Sequence, residues 1–237
     1  MLSSKEIAVL RSELKHSSVF RCNRVQFRML AWNLTIGCSF CFKRTMDIVL
    51  AVLAIILTFP LMLITALLIK ITSPGPIIFS QVRVGKYGRH FKFYKFRSMY
   101  IDAELRKNEL LSRNESSDGV IFKMKHDPRI TRIGRFIRKF SIDELPQLFN
   151  VLLGDMSLVG PRPPLPAEVR TYTLEERKRL NITPGITCLW QISGRSELPF
   201  QQQMALDKEY IASRSTWNDF LILLKTIPAI ITGRGAW

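Results

Sequence analysis

The chain has 237 residues, 47 % of them apolar, with 35 Lys and Arg against 19 Asp and Glu, a formal charge of +16. That length holds one sizeable core, or one core with a membrane element, and the apolar share excludes a wholly disordered chain. Four cysteines exclude a disulfide-rich scaffold, and the charge points to polyanionic company: nucleic acid, anionic lipid or phosphorylated substrate.

Residues 1–42 open with a polar stretch carrying Arg11, Lys15, Arg21, Arg24 and Arg28, then an apolar patch too short to span a bilayer. An interfacial amphipathic segment is expected there. The lone Cys38-x-x-Cys41 has no second pair to complete a zinc site. From Ile48 to Ile69, 22 residues pass without a charge. As a helix they rise about 33 Å, enough to cross a bilayer core. The run begins too deep in the chain for a removable signal peptide. Pro60 near its middle removes a backbone donor, and basic residues flank it on both sides: Lys43 and Arg44 before, Lys70, Lys86 and Arg89 after. Because cations prefer the cytoplasmic side, residues 43–73 are expected to form a re-entrant membrane helix broken at Pro60; a proline-kinked span is the alternative. Asp47 stands where it could balance Lys43 or Arg44.

Residues 74–237 are expected to form a cytoplasmic, membrane-associated catalytic domain. Pro74, Gly75 and Pro76 punctuate its start. "IIFSQVRV" and "HFKFYKF" alternate apolar and polar around a Gly-containing turn, which predicts a β-hairpin. Residues 101–118 read as a helix and then a loop. Arg129 to Phe140 is helical by period, with Ile130, Ile133, Ile137 and Phe140 on one arc and Arg132, Arg135, Arg138 and Lys139 opposite. That basic face is either simply solvated or lies beside phosphates, of lipid or of substrate. The C-terminal run has Trp217 and Trp237 at its edges and Pro228 inside, a pattern that suits a membrane interface or a homodimer contact. The fold class is α+β, mainly helical: a re-entrant helix, interfacial amphipathic helices and a small catalytic domain with a hairpin.

"SIDELPQ" sets Asp143 beside Glu144. Ser141-x-x-Glu144 matches a capping box, and Pro146 suits a first turn behind an Asp143 N-cap. The rival reading is a reaction centre. A carboxylate at a helix start among arginines stays ionised, and adjacent carboxylates diverge, so one can attack while the other holds a divalent cation. Arg162, between Pro161 and Pro163, sits on a stiff backbone and loses little entropy on gripping a phosphate. Together these parts point to phosphoryl transfer.

"KRTMDIVLAVLAIILTFP", "SPGPIIFSQVRVGKYGRHFKFYKFRSM", "DPRITRIGRFIRKFSIDELPQLFNVLLGDMSLVGPRP" and "TPGITCLWQISGR" resemble the bacterial sugar transferases, monotopic phosphoglycosyl transferases acting on a polyprenol phosphate. The resemblance covers about Lys43 to the C-terminus. It implies transfer of a hexose 1-phosphate from a UDP-sugar to undecaprenyl phosphate, with release of UMP, to start an exopolysaccharide, capsule or O-antigen. By the same resemblance Asp143 is the nucleophile that becomes an aspartyl-phosphosugar. Glu144, with Asp143, holds Mg²⁺, and Pro161, Arg162 and Pro163 grip phosphate. It further implies a location on the cytoplasmic face of the inner membrane among anionic lipids. Lys95, Arg97, Arg129 and Arg195 are further candidates for phosphate contact. Phe59 stands where some members have serine before the breaking proline. Larger members add an N-terminal multi-helix membrane domain, and here the catalytic core is expected to be complete without one. Two other classes fit a basic, membrane-bound chain less well. A non-catalytic membrane adaptor would use the basic face only to dock. A nucleic-acid binder is not expected, because no stacked-aromatic sheet or recognition helix accompanies the charge.

Overall fold

The computed structural model describes residues 4–110, 115, 124, 126–233 and 235, with side chains from residue 37 onward other than those of 107 and 108. Most of the amphipathic reading of residues 1–42, the second half of the 101–118 segment and Trp237 lie outside the described residues. Met1–Met46 and Asp47–Trp237 form two compact units.

The apolar run becomes the later part of α1 (Ser4–Thr72). Within it, Gly37–Thr72 is long and apolar enough to cross a membrane, by length and composition. Pro60 lies inside α1 and does not end it: residues on both sides stay helical. A proline in a long helix forfeits one backbone bond and crowds the preceding turn, so it bends the axis while its neighbours keep their own bonds. The run is also not uniformly bare. Ala51, with Leu50, Ala54 and Ile55, joins a cluster of Phe93, Leu148, Val151, Leu158 and Ile222. Met62, Ala66 and Ile69 join a second cluster with Phe96, Ile137 and Ile142. Between these patches Ile56, Leu57 and Phe59 are exposed.

The alternation predicted as a hairpin gives antiparallel β1 (Ile78–Val84) and β2 (His90–Phe96), with Ile78 opposite Phe96 and Arg83 opposite Phe91. Its turn uses Tyr87 at φ 56° followed by Gly88 at φ 78°. After α2 (Ala103–Leu110), α3 runs over Arg132–Lys139, shorter than the Arg129–Phe140 expected from period. Thr131 sets the boundary: its hydroxyl caps the helix by accepting from Gly134 N at 2.8 Å. Ile130, one residue earlier, pairs in an extended bridge with Met99.

The chain continues through α4 (Gln147–Leu153), β3 (Ser157–Val159), α5 (Pro166–Thr171), α6 (Leu174–Arg177), β4 (Gly185–Thr187), α7 (Leu189–Ser193), α8 (Phe200–Ala212) and α9 (Thr216–Thr232). β3 and β4 pair in parallel. The described chain is thus mostly helical with two small sheets. Buried Asn150 locks α4 to the hairpin, donating to Lys92 O at 2.7 Å and accepting from Tyr94 N at 3.1 Å. Two further buried polar contacts tie the ends of the apolar run to the same unit. Asp47 accepts from Ser157 Oγ at 2.8 Å and Leu158 N at 3.2 Å, so it faces inward. Arg97 Nη2 donates to Ser73 O at 2.7 Å and to Ser73 Oγ at 2.8 Å.

Candidate active site

Asp143 and Glu144 occupy a 3-10 turn, Ile142–Glu144, between α3 and α4. The expected capping box does not form. Ser141 is left-handed at φ 54°, its side chain caps nothing, and α4 starts beyond Pro146. Three elements have to meet in this short connection, and that tertiary demand overrides the local preference for a cap. The carboxylates are therefore aimed at side chains rather than at the main chain. Glu144 Oε1 accepts from Lys95 Nζ at 2.6 Å and from Arg162 Nη1 at 3.1 Å. Asp143 Oδ2 lies 3.4 Å from the same Lys95 ammonium.

Burial works against the charge on both groups, with unequal results. For Glu144, Lys95 and Arg162 outweigh burial and hold the carboxyl well below the usual carboxylate range. For Asp143, burial dominates and pushes the carboxyl up; Lys95 opposes the rise and the neighbouring Glu144 adds to it. Glu144 also outweighs burial on Arg162 and raises it. Sequence reasoning expected both members of the pair to stay ionised through their arginines; the structure gives that condition to Glu144. Asp143 is only 5 % exposed and has no guanidinium bond, which leaves it the less committed of the two.

The dyad opens into a cavity of about 980 Å³. One face of the hairpin builds a wall, since the period of two brings Phe79, Gln81 and Arg83 from β1 beside Lys95 from β2 and Arg97 just beyond it. Arg138, Arg162 and Arg195 complete a cationic lining. Among the described residues no cluster of three His, Cys, Asp or Glu forms. Two adjacent carboxylates are instead the oxygen donor set that suits a hard ion sharing its remaining positions with water and substrate phosphate.

A family model described as bacterial sugar transferase matches residues 38–233. The chain belongs to that family. It is 55 % identical over 163 residues to a galactosyl transferase, CpsE, of Streptococcus agalactiae, covering 68 % of this chain and 36 % of that protein. To the undecaprenyl-phosphate galactose phosphotransferase of Salmonella typhimurium it is 45 % identical over 201 residues, 82 % of this chain and 41 % of the relative. The chain thus spans less than half the length of these two. It spans 88 % of the exopolysaccharide production protein ExoY of Sinorhizobium fredii, at 38 % identity.

Here Lys95, Arg97, Arg129, Asp143, Glu144, Arg162, Pro163 and Arg195 all line the same cavity. Pro161 sits behind it, its carbonyl accepting from Gly185 N at 2.9 Å. Pro60 is exposed within α1. Two of the cations are also engaged in holding the fold. Arg129 forks onto Asp127, with Nη2 at 2.7 Å and Nε at 2.9 Å from its oxygens, and Arg97 holds Ser73. Arg138, which the sequence marks only as part of a basic face, and Arg83 and Arg179, which no sequence motif marks, also line the cavity. Arg83 was within reach: drawing the hairpin register places it on the face that carries Lys95.

Proposed function

We propose that this sugar transferase moves a hexose 1-phosphate from a UDP-sugar to undecaprenyl phosphate, initiating a lipid-linked polysaccharide. The observation that carries the reading is an unequally neutralised carboxylate pair, Asp143 buried and Glu144 partly so, opening into a cation-lined cavity. In the first step an Asp143 oxygen attacks the sugar-linked phosphorus, the bond to the bridging oxygen breaks, and UMP leaves with the electron pair. In the second step an oxygen of the lipid phosphate attacks the same phosphorus and returns Asp143 as a carboxylate. Lys95, Arg138, Arg162 and Arg195 are placed to offset the charge gathered there. Glu144 and Asp143 would hold Mg²⁺, which supplies further neutralisation when bound. An adaptor that only docks has no use for a carboxylate pair set in such a cavity, so the geometry favours catalysis.

The reading includes a monotopic setting on the cytoplasmic face of the inner membrane. It is supported by the pinning of both ends of the apolar run, Asp47 and Ser73, to the unit that carries the dyad. A helix anchored to one body at both ends while exposing Ile56, Leu57 and Phe59 between them fits a dip better than a crossing. The row Trp217, Phe220, Leu224, Ile227 and Ile231 is exposed on α9, whose Ile222 and Leu223 join the cluster that holds Leu50 and Ala51. An interfacial α9 follows. Arg132, Arg135 and Lys139, around exposed Phe136, suit anionic headgroups.

The test is UMP release from a panel of UDP-sugars by membranes holding the chain, with Mg²⁺ and undecaprenyl phosphate. Release with one or more donors is expected, and none with any donor would overturn the reading. The topology has its own measurement: cysteines introduced at either end of residues 48–69 should both label from the cytoplasmic face. Labelling from opposite faces would remove the dip and leave the chemistry standing.

A further inference from the structure

The segment Pro161-Arg162-Pro163-Pro164 has three residues without an N–H, so the protein can fix it mainly through its carbonyls. All four carbonyls are taken. Pro161 O accepts from Gly185 N at 2.9 Å and Pro164 O from Val84 N at 3.0 Å. The two between them accept from guanidinium groups: Arg162 O from Arg179 Nη2 at 2.9 Å and Pro163 O from Arg83 Nη1 at 3.1 Å. The outer bonds are ordinary main-chain pairings to β4 and β1. The inner two place two more cations beside Arg162, where a neutral donor would have sufficed for a carbonyl.

That arrangement is electrostatically unfavourable: Arg179 is offset by a carboxylate, whereas burial and the neighbouring Arg162 pull Arg83 down to about 10. Arg179 lies 2.6 Å from Asp207 of α8, both side chains being buried, and its Nη1 donates to Tyr172 Oη at 3.0 Å. Arg83 stacks over the Phe93 ring at 5.3 Å. A rigid planar fork also suits the task, because it can hold a carbonyl and a second partner at once.

We propose that Arg83 and Arg179, the latter backed by Asp207, are positioning residues that clamp the main-chain carbonyls of Pro163 and Arg162 and so deliver the Arg162 guanidinium to Glu144 and the phosphate site in one orientation. The proposal rests on the phosphate-gripping role of Arg162 given above. Loss of either clamp frees the Pro-Arg-Pro turn, and Arg162 must then be ordered by the ligand at the ligand's expense.

A double-mutant cycle in the full chain tests it. Arg83→Met is the primary variant, because Arg83 is only partly buried. Arg179→Met combined with Asp207→Leu is the second, since it removes both members of the buried pair and leaves no orphan charge. Each is made with Arg162 intact and with Arg162→Ala. Kd for UDP and kcat/KM for UMP release are measured, with the thermal midpoint recorded throughout. With Arg162 present, each variant should weaken UDP binding and kcat/KM by about ten-fold. With Arg162 absent, the same substitutions should change either quantity by less than about two-fold. Equal losses in both backgrounds would mean direct ligand contact or general loosening, and no loss with Arg162 present would mean no clamp; either result overturns the proposal. UDP binding reads the clamp even in a chain that turns nothing over, so its failure is separable from failure of the proposed activity.

Discussion

Asp143→Asn is expected to reduce UMP release to background, a loss on the order of 10⁴-fold or more, while the thermal midpoint holds or rises. An amide is too weak a nucleophile to attack a phosphorus atom. The stability half follows from the same geometry. Asp143 is buried beside a second carboxylate and meets only Lys95, at 3.4 Å, so its charge is a burden on the fold. Removing it relieves repulsion on Glu144 and costs one long ion pair. Glu144→Gln should do the opposite, because it removes the negative charge that meets Lys95 and Arg162 at 2.6 and 3.1 Å and leaves both cations without an anionic partner there. Neighbouring charge removals would then move stability in opposite directions while both lower activity. A thermal melt and a UMP assay on the two variants decide it. Were the pair only a helix cap, Asp143→Asn would leave turnover intact.

The sequence shows this dyad plainly, and its local context misleads about what it does. Ser141, Glu144 and Pro146 satisfy every rule for a helix start, and those rules concern one segment only. The structure sets Ser141 left-handed, and Lys95, from a strand about fifty residues earlier, and Arg162, from a turn beyond α4, both reach Glu144. The hairpin and the apolar run were legible because their signals are periodic or compositional and need no partner. Arg162 was legible because its prolines announce a stiff backbone. Arg179 and Asp207 were not: nothing near either residue names the other, and their 2.6 Å contact exists only once α8 folds back. Arg129 carried a visible warning in Asp127 two residues before it, which accepts from its backbone N–H and its guanidinium.

Among the described residues, Lys95 is the cation that meets both carboxylates, so its replacement has the widest consequences. It reaches them because β2 sets it on the same face as Phe93, whose ring lies 5.6 Å beneath the ammonium. Lys95→Met keeps the length and the contact with that ring but leaves buried Asp143 without its ion pair and partly buried Glu144 with that of Arg162. Loss of one partner from a buried ion pair costs about 3 kcal/mol, and loss of one preorganised cation at a site of phosphoryl transfer lowers kcat by about 10²–10³-fold. A divalent ion at the dyad would share the oxygens that Lys95 now holds. Removing the lysine should therefore weaken catalysis and tighten metal binding together. Magnesium should raise the thermal midpoint of Lys95→Met by more than it raises that of the unaltered chain. Lys95→Arg, which restores the charge, should bring the magnesium-dependent shift back toward the original. Equal shifts in all three chains would mean that lysine and metal do not compete, and no shift in any of them would remove the dyad as the place where magnesium binds.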